Sequence, residues 1–456
     1  MGGTASAQLI MVAAAPLLTR LYNPQDFGLL AVYSALLALF SVNSSLRYQL
    51  AIPLPACEQE AADVVVLSLI CVVSVTLLTT MLVFFTRGYF AELMGLPSIA
   101  DYLWLLPVGV AFVGAYQTFN YWALRRKAYR SIASTRIKQT LTTLTIQLLG
   151  YKTGALALIA GQAGGQGMGS YTLAKTALAR PELREWRWPA VWTAAKRYRK
   201  FPYFSTWDAF FNTAGAQLPP LMFAALFSTS AAGLYALADR VLAVPMAIVG
   251  DAVGKVFLSS AAEAHRAGRI GSLVLGVHKK LVVLALPPTL VLFIAGPQLF
   301  VLIFGEEWQQ AGVFAKWMAP WLYVVFVTSP LSTLFAILEK QRQGLVFQVI
   351  LISMRVAAIS LGAFYEDVVL TVILFSLAST FCWFFLLIWI FLSTGNSASS
   401  VLKSTGKMFL ISNVCVSPLW ASTCVESLNV WWVPLLSISC VMILIVYLKQ
   451  FRSSWG

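Results

Sequence analysis

Lysine and arginine fall almost entirely into every second gap between the hydrophobic segments of this chain. The gap after residue 120 holds Arg125, Arg126, Lys127, Arg130, Arg136 and Lys138, and the next holds only Lys152. The one after holds Lys175, Arg180, Arg184, Arg187, Lys196, Arg197, Arg199 and Lys200, and the gap from Phe227 to Gly233 holds none. Basic residues are retained on the cytoplasmic side during insertion, so this alternation marks a chain threaded back and forth through a bilayer. The composition agrees: 59% of the 456 residues are hydrophobic and 11% charged, where soluble domains carry about 25% charged residues. A net charge of +14 in a soluble protein would suggest nucleic acid. Here the cations flank apolar segments, so anionic lipids of the cytoplasmic leaflet are the expected partner and nucleic acid is not.

A spanning helix needs roughly 17–25 mostly apolar residues. Fourteen segments qualify, near 3–19, 27–47, 62–85, 101–121, 133–151, 154–175, 204–227, 233–257, 280–304, 317–338, 345–364, 368–392, 406–424 and 430–448. The expected class is therefore an all-α polytopic membrane protein. An even number of spans puts both termini on one side, and the basic gaps, with Lys449 and Arg452, make that side the cytoplasm. The opposite gaps carry acid: Glu92 and Asp101, Glu306 and Glu307, Glu366 and Asp367, and Glu426. The first apolar stretch has no basic leader and runs into Arg20 and Pro24, so no cleavable signal peptide is expected. The short gaps leave no room for a soluble catalytic domain, so no enzyme is expected. The six cysteines lack metal-ligand spacing, and neither a metal nor a cofactor is implied. His265 and His278 are assigned to a cytoplasmic gap as isolated side chains. Gly161, Gly164, Gly165, Gly167 and Gly169 lack the Lys-Ser/Thr of a phosphate loop and predict close helix packing in the sixth span.

The chain repeats itself. Residues 4–9 read Thr-Ala-Ser-Ala-Gln-Leu and residues 213–218 read Thr-Ala-Gly-Ala-Gln-Leu. Phe27-Gly28-Leu29-Leu30-Ala31 likewise matches Ala232-Gly233-Leu234-Tyr235-Ala236. The two matches come in order and pair spans one and two with spans seven and eight. Six spans separate the copies, so the repeat is parallel, and transporters commonly place a substrate cavity between such halves. The organisation expected is an N-terminal lobe of six spans (1–175), a basic cytoplasmic linker with an interfacial helix (176–203), a C-terminal lobe of six spans (204–392) and two extra spans (393–456). The alignment also predicts that the first span is short at its beginning, or that the native start lies upstream of Met1.

The stretch from Pro16 through Thr19-Arg20-Leu21-Tyr22-Asn23-Pro24-Gln25-Asp26-Phe27-Gly28, followed by Leu46-Arg47-Tyr48 and Ala51-Ile52-Pro53-Leu54-Pro55, resembles the bacterial polysaccharide flippases. These are the O-antigen and capsule-repeat translocases of the multidrug/oligosaccharidyl-lipid/polysaccharide exporter superfamily. Ala232-Gly233-Leu234-Tyr235-Ala236-Leu237-Ala238-Asp239-Arg240-Val241-Leu242 is similar to the same family. The resemblance implies two six-helix lobes, alternating access, and export of an undecaprenyl-diphosphate-linked oligosaccharide across the inner membrane. It implies the polymerase and chain-length proteins of the same pathway as partners. It leaves H+ or Na+ coupling, or the membrane potential, open as the driving force. A cation-coupled drug antiporter of the superfamily and a membrane glycan polymerase are the rival readings. Locally, Asn23 suits a helix N-cap, Pro24 the first helical position and Asp26 the positive end of the helix dipole.

A charge near the centre of a span costs about 2.5–3.5 kcal/mol on insertion scales, so such residues face a cavity or a partner. Arg355 in span eleven, with Gln348 on the same face, has both options: a lumen or an ion pair. In span eight Arg240, Asp251 and Lys255 return to one face at 100° per residue, with Asp239 turned away; Asp251 and Lys255 can also pair with each other. Span seven places Asp208, Asn212 and Gly215 on one face, and Pro219-Pro220 predicts a break or kink. Asn43 and Arg47 are expected one helical turn apart at the end of span two. Gln8 and Gln217 are candidates for hydrogen bonds between helices. The substrate-binding candidates are Arg47, Arg240, Arg355, Asn43, Asn212 and Gln348. The ion-coupling candidates are Asp208, Asp239 and Asp251. The guanidinium fork matches the oxygens of the diphosphate that the resemblance implies.

Overall fold

Asn23 and Pro24 start a helix as expected. The Asn23 side chain accepts the N–H of Asp26 at 2.9 Å, and Pro24 occupies the first turn, where its missing N–H costs nothing. Asp26 does more than meet the helix dipole. Its Oδ1 accepts the N–H of Ala155 at 2.9 Å, the first residue of a helix far along the chain, so one short segment caps two helices. Caps of this kind are worth about 0.5–2 kcal/mol. Asp26→Ala is expected to lower the unfolding midpoint of the purified protein more than a neutral surface substitution does. An unchanged midpoint would remove its capping role.

The computed structural model describes residues 2–338, 340–424 and 431–453. Regular structure among the described residues is helical. The order is α1 (Gly2–Leu21), α2 (Pro24–Ser41), α3 (Glu58–Leu93), α4 (Leu106–Arg125), α5 (Tyr129–Leu149), α6 (Ala155–Leu178), α7 (Trp188–Arg197) and α8 (Thr206–Leu226). It continues with α9 (Thr229–Arg266), α10 (Ile270–Phe304), α11 (Gln309–Thr328), α12 (Leu334–Ile337), α13 (Gln341–Phe364), α14 (Val368–Ser393), α15 (Ala398–Cys424) and α16 (Trp432–Ser453). Each expected span has its long helix, and α7 and α12 are short additions. Six of the helical stretches are long and apolar enough to span a membrane on their own. The others are diluted by polar residues: α5 alone carries Arg130, Arg136, Lys138, Gln139 and Gln147.

Several boundaries differ from the sequence reading. The expected cytoplasmic gap after span eight is largely helix, because α9 runs to Arg266 and α10 already starts at Ile270. His278 therefore lies inside α10, fully buried, with its ring 5.1 Å from that of Phe391. Span ten begins at Gln309 rather than 317, which brings Lys316 inside a helix. Pro219 and Pro220 do not interrupt α8. The kink lies in α10 at Ala295 (φ −112°, ψ 16°), just before Gly296 and Pro297. There α10 and α11 touch backbone to backbone: a Cβ on Gly296 would stand 2.8 Å from the Gly312 carbonyl oxygen, and one on Gly312 would stand 2.6 Å from that of Gly296. Glu426 lies outside the described residues, as do the side chains of Lys449 and Arg452.

The helices pack as two units, Met1–Ala236 and Leu237–Gly456. In the first, α6 lies against α5 and α4. Its glycines make that possible. A Cβ on Gly161, Gly165 or Gly169 would come within 3.0 Å of Gln147, Thr143 or Gln139 of α5. Polar side chains fasten the neighbours: Ser34 of α2 donates to Gln162 of α6 at 2.7 Å, and Gln147 donates to the Leu158 carbonyl at 3.0 Å. Gln8 and Gln217 form no hydrogen bond with another described residue. At the start of α2, Gly28 meets the first turn of α9, where Gly233 in turn meets Pro24.

The basic stretch before α8 contains α7, an amphipathic helix of ten residues. Val191 and Ala194 are buried against the core that includes Val64 and Val65 of α3, while Trp188 and Trp192 are exposed. Arg197 bridges to Glu60, and the Tyr198 hydroxyl donates to the same carboxylate at 3.1 Å. Burial and that carboxylate hold the Tyr198 phenol above its ordinary range. Arg125 fixes the loop before α3 by donating to the carbonyls of Ile52, Pro53, Pro55 and Cys57. In the second unit α10, α11, α13, α14 and α15 pack around large buried rings, among them Phe300, Phe314, Phe375 and Phe391.

Candidate functional site

Arg355 is the most firmly held cation within a span. It sits fourteen residues beyond Gln341 in α13, about 21 Å along the helix at 1.5 Å per residue. Its Nε donates to the Ser379 hydroxyl of α14 at 3.0 Å. Its guanidinium lies 5.1 Å from the ring centre of Trp321 on α11 and 5.2 Å from that of Phe375 on α14. Those two rings meet edge to face at 5.1 Å, so the cation is seated in an aromatic corner. Cations over aromatic faces gain about 0.5–2 kcal/mol, more as water is excluded. Asp239 of α9 lies within electrostatic reach of the same guanidinium. Both alternatives for Arg355 thus have a physical basis: a carboxylate within electrostatic reach, and a planar guanidinium seated against two rings and a serine.

Beside Arg355 the Trp321 indole N–H and the Ser376 hydroxyl are buried without an acceptor or donor among the described residues. Buried polar groups left unpaired are destabilising, which marks this corner as one where a ligand has polar work to do. Arg240 follows Asp239 on α9, is half-buried, and forms no hydrogen bond or ion pair with another described residue. Gln348 is exposed on α13 among Leu345, Val346, Val349 and Ile350, away from the aromatic corner. Asp251 and Lys255 lie in α9, and their side chains fall outside the described residues. Sequence reasoning missed Lys316. Its Nζ stands 5.7 Å from the Phe293 ring and 5.8 Å from the Trp317 ring, one turn from the α10 kink. The signal was available: a lone lysine flanked by apolar residues on both sides.

An apolar groove of about 540 Å³ runs along the same helices, walled by Val241 and Leu242 of α9, Leu322 of α11 and Ile443 of α16. A second apolar cavity of about 440 Å³ shares Leu284 and Tyr447 with it and reaches Ser260 and Lys280. Val241 directly follows Arg240, and Leu322 directly follows Trp321. α11 thus contributes to both the aromatic corner, through Trp321, and the apolar groove, through Leu322.

In the first unit, Asn43 and Arg47 do not share a helix. α2 ends at Ser41, and Leu46 (φ 49°) and Arg47 (φ 65°) adopt left-handed backbone before a short 3-10 turn, Tyr48–Ala51. Such backbone costs a non-glycine residue roughly 1–2 kcal/mol, so surrounding packing holds this turn in place. Asn43 Oδ1, Arg47 Nε and Asn120 Oδ1 are buried with no partner among the described residues. Gln49 donates to Gln117 of α4 at 3.2 Å nearby in the chain. Asp208 and Asn212 are exposed on α8.

Residues 17–312 match the model of a family described as polysaccharide biosynthesis protein. No curated protein matches the chain by sequence. Among solved structures, the lipid II flippase MurJ in its inward closed conformation superposes with a TM-score of 0.79 at 12% identity, covering 99% of each chain. A multidrug resistance MATE family transporter of the MOP superfamily, in an inward-facing conformation, gives 0.62 at 13% identity, over 88% of this chain and 99% of that one. A MATE protein in complex with MaL6 gives 0.53 at 13% identity, over 88% and 95%. At these identities the likeness is one of fold.

Proposed function

The chain belongs to the polysaccharide biosynthesis protein family, and from that premise we propose that it is a flippase for undecaprenyl-diphosphate-linked oligosaccharide repeat units. It would carry them across the bacterial inner membrane by alternating access, for O-antigen or other surface polysaccharide, with both termini in the cytoplasm. What supports this reading is the presence, in the same unit, of a guanidinium seated in an aromatic corner at Arg355 and of an apolar groove, with α11 contributing to both. The cargo is an amphiphile with the same division: a diphosphate that a guanidinium fork meets bidentately, and a long hydrocarbon that gains from burial in proportion to its area.

The chain's own residues have the following roles in this reading. Arg355, positioned by Ser379, Trp321 and Phe375, is the cation assigned to the diphosphate. Arg240 adds a second cation. Asn43, Arg47, Asn212 and Gln348 are the further residues assigned to cargo contact. The repeats form two six-helix lobes, 1–175 and 204–392, joined by the linker 176–203 and followed by α15 and α16 in 393–456. Asp208, Asp239 and Asp251 are the candidates for H+ or Na+ coupling. The membrane potential is an additional source, since moving a charge through 100 mV is worth about 2.3 kcal/mol. A cation-coupled drug antiporter would want an uncompensated carboxylate at its centre, whereas Asp239 here lies within electrostatic reach of Arg355. A glycan polymerase would want an acceptor site in a long outside loop, and the outside gaps are short.

The test is reconstitution. Vesicles holding the protein and an undecaprenyl-diphosphate oligosaccharide are expected to expose the glycan to an external lectin, without nucleotide, faster than empty vesicles. Equal rates would reject the proposal. Efflux of an organic cation dye, with no movement of the lipid, would favour the antiporter.

A further inference from the structure

A polar cavity of about 620 Å³ opens where the first turns of α3 meet the segment leading into α7, on the side that the charge sorting assigns to the cytoplasm. Its walls are Gln59, Asp63, Glu185, Trp186, Arg187 and Ala190. Nothing in the transport site described above uses it. Asp63 lies at its base and is only 5% exposed, yet its Oδ1 has no hydrogen-bond partner among the described residues.

Two nearby cations, Arg197 and Arg126, are engaged elsewhere. Arg197 bridges to Glu60, and Arg126 holds Glu58 at 2.9 Å and Glu182 at 3.8 Å. Gln59 is oriented by donating to the Glu182 carbonyl at 3.2 Å. Glu185, Trp186 and Arg187 stand exposed at the rim. The cavity therefore offers a buried carboxylate in want of a donor, a fixed carboxamide, an exposed carboxylate and guanidinium, and an indole face.

We infer that this cavity is a saccharide subsite that holds a pyranose of the cargo before it enters the membrane. Adjacent ring hydroxyls supply the two donors that one carboxylate accepts, and they satisfy the Asp63 oxygen that the protein leaves unpaired. The carboxamide and guanidinium meet the remaining hydroxyls. The C–H face of a pyranose packs on the Trp186 indole, which combines an apolar body with a polar edge. The volume falls in the range of small-molecule sites, roughly 300–1,000 Å³, which suits a short oligosaccharide. The identity of the sugar as part of the cargo rests on the flippase reading; the saccharide chemistry of the cavity does not.

The experiment is saturation-transfer NMR on the full-length protein in nanodiscs. The probes are methyl glycosides of glucose, galactose, mannose, N-acetylglucosamine and N-acetylgalactosamine, each without a lipid. At least one glycoside is expected to bind. Its affinity should fall about tenfold or more in Asp63→Asn, the loss of one hydrogen bond to a charged group, and should fall also in Trp186→Ala, which removes the packing face. Lys152→Ala, at an exposed position with no assigned role, should bind it as the parent does. Both substitutions are mild: asparagine is isosteric with aspartate, and Trp186 is exposed.

Binding of no glycoside, or equal binding in all variants, overturns the inference. So does an Asp63-dependent site for spermidine or magnesium that ignores sugars. The vesicle assay separates the two readings. Asp63-dependent glycoside binding without lipid translocation upholds the subsite and rejects the flippase. Translocation without glycoside binding does the reverse.

Discussion

Arg355→Ala is expected to abolish surface glycan while the protein still accumulates to its normal level. The guanidinium donates to Ser379 and lies against two aromatic faces. Hydrogen bonds to charged groups are worth about 1.5–3 kcal/mol each. Losing a two-point contact with phosphate thus slows transport by roughly 100-fold or more. Arg355→Lys retains the charge but neither the fork nor the flat stacking surface, so it should restore only part of the glycan. Arg240→Ala should behave like Arg355→Ala, since Arg240 has no described partner whose loss would unsettle the fold.

The competing outcome comes from Asp239. If its attraction to Arg355 chiefly holds α9 to α13, removing the arginine strands a carboxylate inside a span, at a cost of about 2.5–3.5 kcal/mol. Protein levels then fall in Arg355→Ala and recover in the double variant with Asp239→Asn. Immunoblotting beside glycan staining distinguishes the two. Normal glycan in both arginine variants would refute the site.

Arg355 was legible in the sequence because a charge inside an apolar run is anomalous without any knowledge of its surroundings. Its surroundings were not. Trp321, Phe375, Ser379 and Asp239 come from three other helices, and helical periodicity says which face a residue is on, not which helix that face meets. The same limit explains the boundaries. The long runs of α9 and α10 exceed a bilayer, and the ends where they meet, around 260–280, are polar helix, which a hydropathy reading takes for a gap; His278 falls in that stretch. Span ten was read as starting just after Lys316, because a lysine looks like an edge when its packing is unseen.

Arg47 illustrates a different failure. The apolar pattern runs on past Ser41, but Asn43-Ser44-Ser45 is a turn signal, and it deserved more weight than the pattern around it. The left-handed backbone of Leu46 and Arg47 has no signature at all in residues of that type. The double proline misled in the opposite direction: α8 absorbs Pro219 and Pro220, while α10 bends at Ala295, where a glycine crossing with α11 brings two backbones together. The capping role of Asn23 and the glycine packing of α6 were legible because both are local chemistry.

The internal repeat makes the strongest stability prediction. Gly28 and Gly233 occupy the same position in the two copies, and the structure places them against each other. A Cβ on Gly28 would stand 1.7 Å from the Thr229 carbonyl oxygen, and one on Gly233 would stand 1.9 Å from that of Pro24. Both obstacles are backbone, so neither can swing aside as a side chain would. Gly28→Ala and Gly233→Ala should each destabilise the protein by about 1–3 kcal/mol or more, the range for overpacking a close contact. Each should lower the unfolding midpoint measured by thermal shift. The two losses should not add. Once one methyl has forced the first turns of α2 and α9 apart, the second meets less resistance, so the double variant should fall short of the sum by more than the roughly 0.5 kcal/mol that separates independent sites. Full additivity would mean that the two glycines do not share one crossing. Unchanged midpoints in both single variants would mean that the close approach is not part of the folded state.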